Sequence, residues 1–468
     1  MCSRNNGKLN TVSDYLHIHA ERNPRGRALI SDKGVTTWDE LEYRSGQLAA
    51  YLREKGIRRG DTVAYRLPGG EDFYYLFLAC SILGCTAAGI GMQYTASEIS
   101  TVKEAAGASY YADGRLPDEA WSMKPYFGDG NSKPDDKLFV LYTSGTTGKP
   151  KGIGLTQNNV ISSALLEAEH FCNGCTEDDI FQLQVPVNHI SGAVEWCVTS
   201  VVSGCACVLN ERFDADRILE NTEKYRVTML CGVPSMWNMM LPRVAKYDLS
   251  SVRWCMSGAS PVTARMIERI MDICPEVSNP LGLTETSGFC TYSDIHASAR
   301  NLTETVGRPV IPCKIMAGPG EVGAVAWSGD TVSADAPEDE DGWFVSGDLG
   351  FMDEDGQLHL MGRSDDVYFT GGYTIYPSEI EQVMMQHPDV AACAVVPEES
   401  RLMGSISKAV IVPKAGRDIQ ASAMRTFIED RLVYYKVPRR YEFRQSLPLN
   451  SMGKVMRKQL ITERKLVV

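Results

Sequence analysis

Apolar residues along this chain occur at helical spacing in some stretches and in short continuous runs in others. From Trp38 to Lys55 they follow a helical period that ends at Gly56, which predicts a helix with one buried face. The stretch from Phe73 to Leu83 is apolar on nearly every side and predicts a buried helix. Between these two, Thr62 to Leu67 predicts a short strand.

The same alternation returns in the middle of the chain. Strands are predicted at Thr228–Cys231 and Arg253–Met256, and helices are predicted to begin at Pro234 and Pro261. Since strands that alternate with helices build parallel sheets covered by helices, the pattern predicts an α/β fold in layers.

A change of pattern around Gly362–Asp366 predicts a domain boundary. We expect a large N-terminal domain of residues 1–362, built from several layered α/β subdomains, and a small α+β domain of residues 363–468. The elements predicted for the small domain are a helix at Pro377–His387, strands at Val390–Val396 and Lys408–Val412, and a helix at Ala421–Leu432.

Composition narrows the class of protein. The chain has 468 residues, a hydrophobic content of 44% and a formal net charge of −12, which argues against general nucleic-acid binding and against an anionic membrane surface. The N-terminus lacks a signal-peptide core and no window approaches about 18 uninterrupted apolar residues, so we expect a cytoplasmic protein. The pair Cys172 and Cys175 has no matching second pair, which predicts reduced thiols and no zinc site.

The most distinctive polar segment is Leu141-Tyr-Thr-Ser-Gly-Thr-Thr-Gly-Lys-Pro-Lys-Gly152. Its glycines allow backbone N–H groups to converge on an anion, and its hydroxyls and lysines add donors and positive charge. The segment is not a standard P-loop, which places four residues between Gly and Gly-Lys-[Ser/Thr]. Taken alone, it fits either a phosphate site or a solvated turn.

Three other polar segments have similar alternatives. Thr284 and Glu285 lie between Gly282 and Gly288, where the carboxylate fits either a magnesium ligand or a solvated loop. Asp348, which we place in a tight turn after a strand, fits either a ribose ligand or a turn-forming residue. Lys454 follows a glycine near the C-terminus and, taken alone, fits a surface lysine. The acidic run Asp335–Gly342 predicts a solvated loop.

Together and in this order, these segments resemble the adenylate-forming superfamily of acyl-CoA synthetases, peptide-synthetase adenylation domains and luciferases. The resemblance extends from Tyr43–Gly56 through Gly371–Glu381 to Gly453-Lys454, over nearly the whole chain. It implies a two-step reaction: a carboxylate attacks the α-phosphate of ATP to give an acyl-adenylate and pyrophosphate, and a nucleophile, usually a thiol, then displaces AMP.

The resemblance also assigns roles to residues. The β- and γ-phosphates would be bound by Thr143, Ser144, Gly145, Thr146, Thr147, Gly148, Lys149 and Lys151. Adenine would be lined by Gly258, Ala259, Ser260 and Leu281, and the ribose would be held by Asp348 and Arg363. Thr284 would contact the α-phosphate, Glu285 would bind Mg²⁺, and Lys454 would bridge the carboxylate and the α-phosphate.

For the second step, the resemblance implies that the small domain is mobile and rotates about a hinge at Asp365. Gly371, Gly372 and Tyr373 would then line the channel for the thiol, which makes coenzyme A the expected acceptor. The family usually has an aromatic residue where this chain has Leu281, so stacking on adenine is expected to be weaker by about 1 kcal/mol.

Segment Pro186–Gly192 resembles the acyl-pocket motif of the family, with His189 in the gating position. Adenylation domains for amino acids usually place an Asp at the next position to bind the α-ammonium group, and this chain has Ile190 there. An apolar residue would leave an ammonium group unpaired, so we expect a carboxylic acid without an α-amine, with an aryl or medium-length acyl group. The candidate pocket residues are Val194, Glu195, Trp196, Val233, Met236 and Trp237, of which Glu195 fits either recognition of an amine or hydroxyl substituent or a solvent-facing position.

Three alternatives to a CoA ligase remain, the last of which is a non-catalytic binding protein, disfavoured because Lys454, Glu285 and Asp348 are all present. The first is transfer of the acyl group to a carrier protein that acts in trans, or directly to an amine. The second is a kinase or other NTPase built on the Gly-rich loop, which the absence of a Walker motif disfavours and which would release ADP rather than AMP.

Overall fold

A computed structural model describes residues 9–144, 150–259, 262–449 and 455–462. The α-helices are α1 (Val12–Arg22), α2 (Trp38–Glu54), α3 (Glu71–Leu83), α4 (Ala96–Ala105), α5 (Gln157–His170), α6 (Thr199–Ser203), α7 (Ala215–Tyr225), α8 (Pro234–Met240), α9 (Ala264–Met271), α10 (Ala299–Glu304), α11 (Pro377–Met385), α12 (Ala421–Glu429) and α13 (Arg457–Thr462). A π-helix covers Ser191–Val198, and 3₁₀ turns cover Asp118–Ser122, Phe171–Asn173 and Val244–Lys246.

The strands in the first half of the chain are β1 (Arg27–Ser31), β2 (Gly34–Thr37), β3 (Thr62–Arg66), β4 (Thr86–Gly89), β5 (Tyr110–Asp113), β6 (Lys137–Ser144), β7 (Pro150–Thr156), β8 (Ile180–Leu183), β9 (Ala206–Leu209), β10 (Met229–Gly232) and β11 (Trp254–Ser257). Those in the second half are β12 (Val277–Ser278), β13 (Gly282–Leu283), β14 (Gly288–Phe289), β15 (Thr291–Tyr292), β16 (Arg308–Pro309), β17 (Cys313–Ile315), β18 (Gly323–Trp327), β19 (Phe344–Met352), β20 (Leu358–Arg363), β21 (Tyr368–Thr370), β22 (Tyr373–Ile375), β23 (Val390–Ser400), β24 (Gly404–Pro413) and β25 (Arg440–Phe443).

Three sheets of the N-terminal part carry the predicted parallel pairing. One has the order β5-β3-β4-β6-β7, parallel except for the antiparallel hairpin β6–β7. Another has the order β2-β1-β9-β8, and the third, β10-β11-β12, is parallel throughout. Aromatic side chains such as Tyr65, Phe73, Phe77 and Phe139 pack between the first sheet and α3 and are fully buried. This arrangement confirms the predicted α/β class.

An antiparallel sheet, β17-β18-β19-β20, precedes a separate C-terminal sheet of order β22-β21-β24-β23, in which β25 also pairs with β24. Helices α11 and α12 cover the C-terminal sheet through Ile380, Met384, Met424 and Ile428, which are fully buried. The smaller α+β unit therefore has a hydrophobic core of its own. The predicted boundary at residue 362 falls within the last residues of β20, and we retain it as a proposed boundary.

The predicted elements lie within a few residues of the observed ones, but one helix start is displaced and one residue was assigned to a turn incorrectly. The helix predicted from Pro261 begins at Ala264, because the Thr263 hydroxyl caps it by accepting the Met266 N–H at 3.2 Å. Asp348 lies inside the long strand β19 and not in a turn after it. The positive φ of Gly347, 77°, produces an irregularity within a strand that continues to Met352.

Within the part of the chain that the structure describes, no helix combines the length and the apolar character that a bilayer crossing requires. The cysteines in the described ranges are free thiols.

Candidate active site

The predicted phosphate segment spans the hairpin β6–β7. Thr143 lies opposite Lys151 in the register, and its hydroxyl donates to the Lys151 carbonyl at 3.4 Å. Lys151 is exposed. Ser144 is described only by its backbone, and Gly145, Thr146, Thr147, Gly148 and Lys149 lie outside the described residues.

A second loop fixes this hairpin to the rest of the site. The Gly154 N–H donates to Asp335 Oδ2 at 2.9 Å, and the Ser333 hydroxyl donates to the Gly154 carbonyl at 2.7 Å. Lys137 forms an ion pair with the same Asp335 at 2.9 Å. Asp335 lies in an exposed loop, as expected, and its carboxylate also holds β6 and β7 in place. Partial burial raises the pKa of Asp335, but the contacts with Lys137 and Gly154 outweigh it and lower the pKa.

The same loop also reaches the predicted magnesium ligand, because the Ser333 N–H donates to the Glu285 carbonyl at 2.8 Å. Residues 333–335 therefore join the phosphate hairpin to the Glu285 segment, although these segments are separated by more than a hundred residues in the sequence. Nothing in the acidic composition of residues 335–342 indicated this connection.

Thr284 and Glu285 lie in the turn between β13 and β14, with Leu283 opposite Gly288. The Thr286 hydroxyl binds the backbone at both ends of the turn, and the Ser287 hydroxyl donates to the Thr331 carbonyl at 2.7 Å. Ser287 has a φ of 60°, which costs a non-glycine residue about 1–2 kcal/mol. Its side chain and that of Thr286 are buried and hold the turn, while Thr284 and Glu285 remain half-buried.

Two of the predicted adenine residues, Gly258 and Ala259, follow the carboxyl end of β11, the central strand of a parallel sheet, which is a common place for ligands in α/β folds. A Cβ on Gly258 would lie 3.5 Å from the Pro280 carbonyl oxygen, so this segment runs directly beside Leu281. Leu281 is half-buried, and the Thr291 hydroxyl accepts its N–H at 2.9 Å. Ala259 has a φ of 66°, and Ser260 lies outside the described residues.

Asp348 and Arg363 lie opposite each other on β19 and β20. A guanidinium nitrogen of Arg363 donates to Asp348 Oδ1 at 3.2 Å. The Asp348 side chain is 10% exposed and that of Arg363 is 49% exposed, so the pair has a buried end and an accessible end. A Cβ on Gly347 would lie 3.2 Å from the Arg363 guanidinium, and this approach together with the positive φ favours glycine.

The candidate acyl pocket adjoins the turn that carries Glu285. Glu195 lies on the π-helix, is 3% exposed and lies 3.3 Å from the position of a Cβ on Gly282. It therefore does not face solvent, which removes one of its two interpretations. Val233 and Met236 are half-buried at the start of α8, and Trp237 donates from its ring nitrogen to the Met256 carbonyl at 3.0 Å.

The remaining candidate residues of the acyl pocket differ in their exposure to solvent. Trp196 is fully buried against Phe171 and Phe181 in the core, and Val194 is also fully buried, so both act as packing residues beneath the pocket. His189 is half-buried immediately before the π-helix, and its carbonyl accepts the Ala193 N–H at 2.9 Å.

The predicted hinge and thiol-channel residues lie on the C-terminal unit or just before it. Asp365 is exposed between β20 and β21. Gly371 and Gly372 have φ values of 55° and 89° and form the two-residue turn of the hairpin β21–β22. Tyr373 follows them, is 43% exposed and stacks on Tyr435 with a centroid distance of 4.2 Å.

Lys454 lies outside the described residues. The described residues around it are well anchored: Leu449 pairs with Val455, and the Met456 N–H donates to the Pro448 carbonyl at 2.8 Å. Arg457 then forms an ion pair with Asp366 at 3.2 Å and binds Glu381. The C-terminal helix is thereby attached next to the predicted hinge.

The sequence profile of the AMP-binding enzyme family matches residues 16–332 of this chain. The profile of the AMP-binding enzyme C-terminal domain matches residues 379–454. The chain belongs to the AMP-binding enzyme family.

Named relatives of this AMP-binding enzyme cover nearly its whole length. A feruloyl-CoA synthase from Amycolatopsis sp. is 30% identical over 94% of this chain and 96% of its own. A fatty acid–[acyl-carrier-protein] ligase from Streptomyces coeruleorubidus is 28% identical over 97% of this chain and 96% of its own.

The o-succinylbenzoate CoA synthetase from Bacillus subtilis is similar in structure as well as in sequence. Its complex with an acyl-adenylate intermediate has a TM-score of 0.85 and 28% identity, and it covers 95% of this chain and 97% of its own. Its complex with ATP and a magnesium ion has a TM-score of 0.84 and 28% identity over 97% of this chain and 99% of its own. The fold of this AMP-binding enzyme is thus that of an adenylate-forming enzyme.

The carboxylates near the phosphate hairpin of this AMP-binding enzyme decide whether a magnesium ion fits the site. Mg²⁺ is usually bound by one or two carboxylates together with substrate phosphates. Glu285 supplies one half-buried carboxylate at a turn, which fits this requirement. In the described ranges, no cluster of three or more His, Cys, Asp or Glu side chains forms an all-protein metal site.

Proposed function

We propose that this enzyme activates a carboxylic acid without an α-amine, with an aryl or medium-length acyl group, and transfers it to coenzyme A. A carboxylate oxygen bonds to the α-phosphorus of ATP. The bond between the α-phosphorus and the oxygen that bridges it to the β-phosphate breaks, and pyrophosphate leaves. The thiolate sulfur of coenzyme A then bonds to the acyl carbon, and AMP leaves. The relatives named for feruloyl and o-succinylbenzoate substrates support an aryl acid.

One observation carries this proposal: residues 333–335 bind both the phosphate hairpin and the Glu285 turn. Because Leu281 and Gly282 lead into the same turn, the described segments that carry candidates for phosphate, metal, adenine and acid adjoin one another, which supports a shared site. A nucleotide and an acid bound there would meet at the turn.

Each residue has a proposed task. The hairpin donors, with Lys151, would bind the β- and γ-phosphates, and Thr284 would orient the α-phosphate. Charge that develops on the phosphate oxygens is stabilised by donors that are already in place, which is the largest contribution in many enzymes. Glu285 would hold Mg²⁺, which when bound supplies positive charge to the phosphates. Lys454 would bridge the attacking carboxylate and the α-phosphate.

One alternative to coenzyme A as the acceptor of the acyl group has independent support. A relative that is named for ligation to an acyl carrier protein matches this chain over nearly its whole length. Transfer to a carrier protein in trans is therefore the second candidate, and direct transfer to an amine is the third.

Pyrophosphate release with MgATP, measured across a panel of carboxylic acids with and without coenzyme A, tests the proposal. Release that depends on both an acid and coenzyme A, with accumulation of the thioester, is expected. Acid-dependent release that coenzyme A does not affect would favour the carrier or amine alternatives. Absence of acid-dependent release would contradict the proposal itself.

Asp348→Asn is expected to raise the KM for ATP roughly tenfold, because a hydrogen bond to a charged acceptor contributes about 1.5–3 kcal/mol. The asparagine keeps the shape of the side chain but not the charge that would bind ribose hydroxyls. Initial rates against ATP concentration measure the change. Asp353→Asn is the matched control, because Asp353 binds His359 at 2.9 Å at the other end of the same strand pair. An unchanged KM in Asp348→Asn would exclude the ribose role.

Asp365→Pro is expected to spare adenylate formation and to slow thioester formation by at least about tenfold, because proline fixes the backbone φ that a hinge must change. The two half-reactions are followed separately, by pyrophosphate release and by consumption of preformed acyl-adenylate with coenzyme A. Asp365→Ala, which removes the same side chain but leaves the backbone φ free to change, tests whether the effect comes from the fixed backbone. Normal thioester formation in Asp365→Pro would refute the hinge.

A further inference from the structure

The candidate acyl pocket contains a buried carboxyl group that the proposed mechanism does not use. Glu195 is 3% exposed and lies on the π-helix Ser191–Val198, whose neighbouring residues Trp196 and Cys197 are fully buried. A π-helix widens the turn, and such helices occur often at functional sites. Burial of a charged carboxylate is costly unless donors compensate it.

A second buried carboxyl, Glu167 on α5, lies beneath the same hairpin. Its Oε1 lies 2.4 Å from the position of a Cβ on Gly288, whereas Glu195 Oε1 lies 3.3 Å from that of Gly282. Glycine at both positions of the hairpin makes room for the two carboxyls. Their proximity has an electrostatic consequence: burial, and then the charge of Glu195, raises the pKa of Glu167 well above its usual range.

The two carboxyls differ in their partners. Glu167 accepts hydrogen bonds from the Thr199 hydroxyl, the Ser163 hydroxyl and the backbone N–H of Phe289. These three donors satisfy the Glu167 carboxyl, which therefore has a structural role. Glu195 interacts with the hydroxyl of Ser191, and burial raises its pKa to about 7.

Glu195 also lies at the edge of the candidate pocket. On one side, Glu195 faces Gly282. On the other side is Cys231, whose pKa is raised first by burial and then by the charge of Glu195. Cys231 is followed by Gly232 and by the pocket candidates Val233 and Met236, and Gly282 is preceded by Leu281. The carboxyl thus lies between the two segments that supply the apolar wall.

We propose that Glu195 is the polar end of the acyl pocket and selects acids that carry a hydrogen-bond donor, a hydroxyl or an amino group, remote from the reacting carboxylate. This inference rests on the proposed function. A donor on the acid would compensate the burial of the Glu195 carboxyl with a second partner beside the Ser191 hydroxyl. An acid with a methyl group there would bury the same carboxyl without that compensation, and sites built for a hydrogen bond reject such analogues strongly.

The test compares acids of one skeleton that carry a hydroxyl, an amino or a methyl group at the far end, with acid-dependent pyrophosphate release as the measurement. For the wild-type enzyme, we expect kcat/KM for the better donor acid to exceed that for the methyl acid by at least roughly tenfold. Equal rates, or a preference for the methyl acid, would overturn the inference while leaving the proposed function intact. Absence of release with every acid would overturn both.

Variants separate recognition by Glu195 from a general effect of buried charge. Glu195→Leu is expected to reverse the preference in favour of the methyl acid, and Glu195→Gln, which keeps an acceptor oxygen, is expected to give an intermediate ratio. Glu167→Gln is the matched control and should leave the ratio within about twofold, because Glu167 is satisfied by protein donors. A ratio that changes as much in Glu167→Gln as in Glu195→Gln would contradict the assignment. If Glu195→Leu fails to fold, as judged by its thermal unfolding, the wild-type ratio and Glu195→Gln decide.

Discussion

Replacement of Lys454 by alanine is expected to slow adenylate formation by about 10³-fold, since loss of one preorganised group that stabilises transition-state charge typically costs 10²–10³ in kcat. The carboxylate and the α-phosphate are both negative, and their approach requires a cation between them. The resemblance places this lysine in that position for the first half-reaction only. Pyrophosphate release under saturating ATP and acid measures the loss.

The same variant should consume preformed acyl-adenylate and coenzyme A at a rate within a few-fold of the wild type. Lys458→Ala, which removes an exposed lysine from α13, is the control and should leave both half-reactions unchanged. An equal loss in both half-reactions of Lys454→Ala would contradict its assigned role and would indicate damage to the C-terminal unit.

Glu285→Gln is expected to lower kcat/KM for MgATP by about 100-fold and to raise the magnesium concentration needed for half of the maximal rate. The amide keeps the length of the side chain but is a weaker ligand for a hard cation than a carboxylate. The turn itself should persist, because Thr286 and Ser287 hold it through their own hydrogen bonds. Rates measured over a magnesium titration check both effects.

Glu304→Gln, at an exposed carboxylate that pairs with Arg300 on α10, is the matched control for general loss of negative charge. It should retain the wild-type magnesium dependence. If Glu285→Gln shows that same dependence, magnesium is held by other groups.

Local patterns predicted the elements that local interactions stabilise. Helix α2 occupies Trp38–Glu54 almost as its apolar spacing indicates, and the Glu40 carboxylate accepts the Thr37 N–H at its start. The helix predicted from Pro261 was misplaced because proline is only compatible with a helix start, whereas the Thr263 hydroxyl determines it.

Local sequence patterns did not predict the long-range contacts. The acidic residues from Asp335 onward have the composition of a solvated loop, and only the fold shows that Asp335 binds Gly154 and Lys137. The interpretation of Asp348 as a turn residue failed for a related reason, because a glycine with positive φ also occurs inside strands. Likewise, the sequence left the orientation of Glu195 open, since exposure depends on the π-helix and on Gly282.

The candidate site was predictable through the resemblance and not through any residue alone. Glu285, Asp348 and Lys454 each fit an ordinary surface position when considered separately. Their order along the chain indicated the family, to which the chain belongs. The identity of the acid has no such signal, because the proposed acyl pocket combines side chains from segments that are far apart in the sequence: the π-helix, α8 and the turn between β13 and β14.

Product analysis in a single turnover tests the central claim most directly. Enzyme in excess over ATP is mixed with an accepted acid and magnesium, coenzyme A is added after a delay, and nucleotides and acyl species are quantified. We predict that AMP remains bound as acyl-adenylate, with one equivalent of pyrophosphate released, until coenzyme A converts it to free AMP and one equivalent of thioester. Formation of ADP and inorganic phosphate, or thioester formation without pyrophosphate release, would contradict the account.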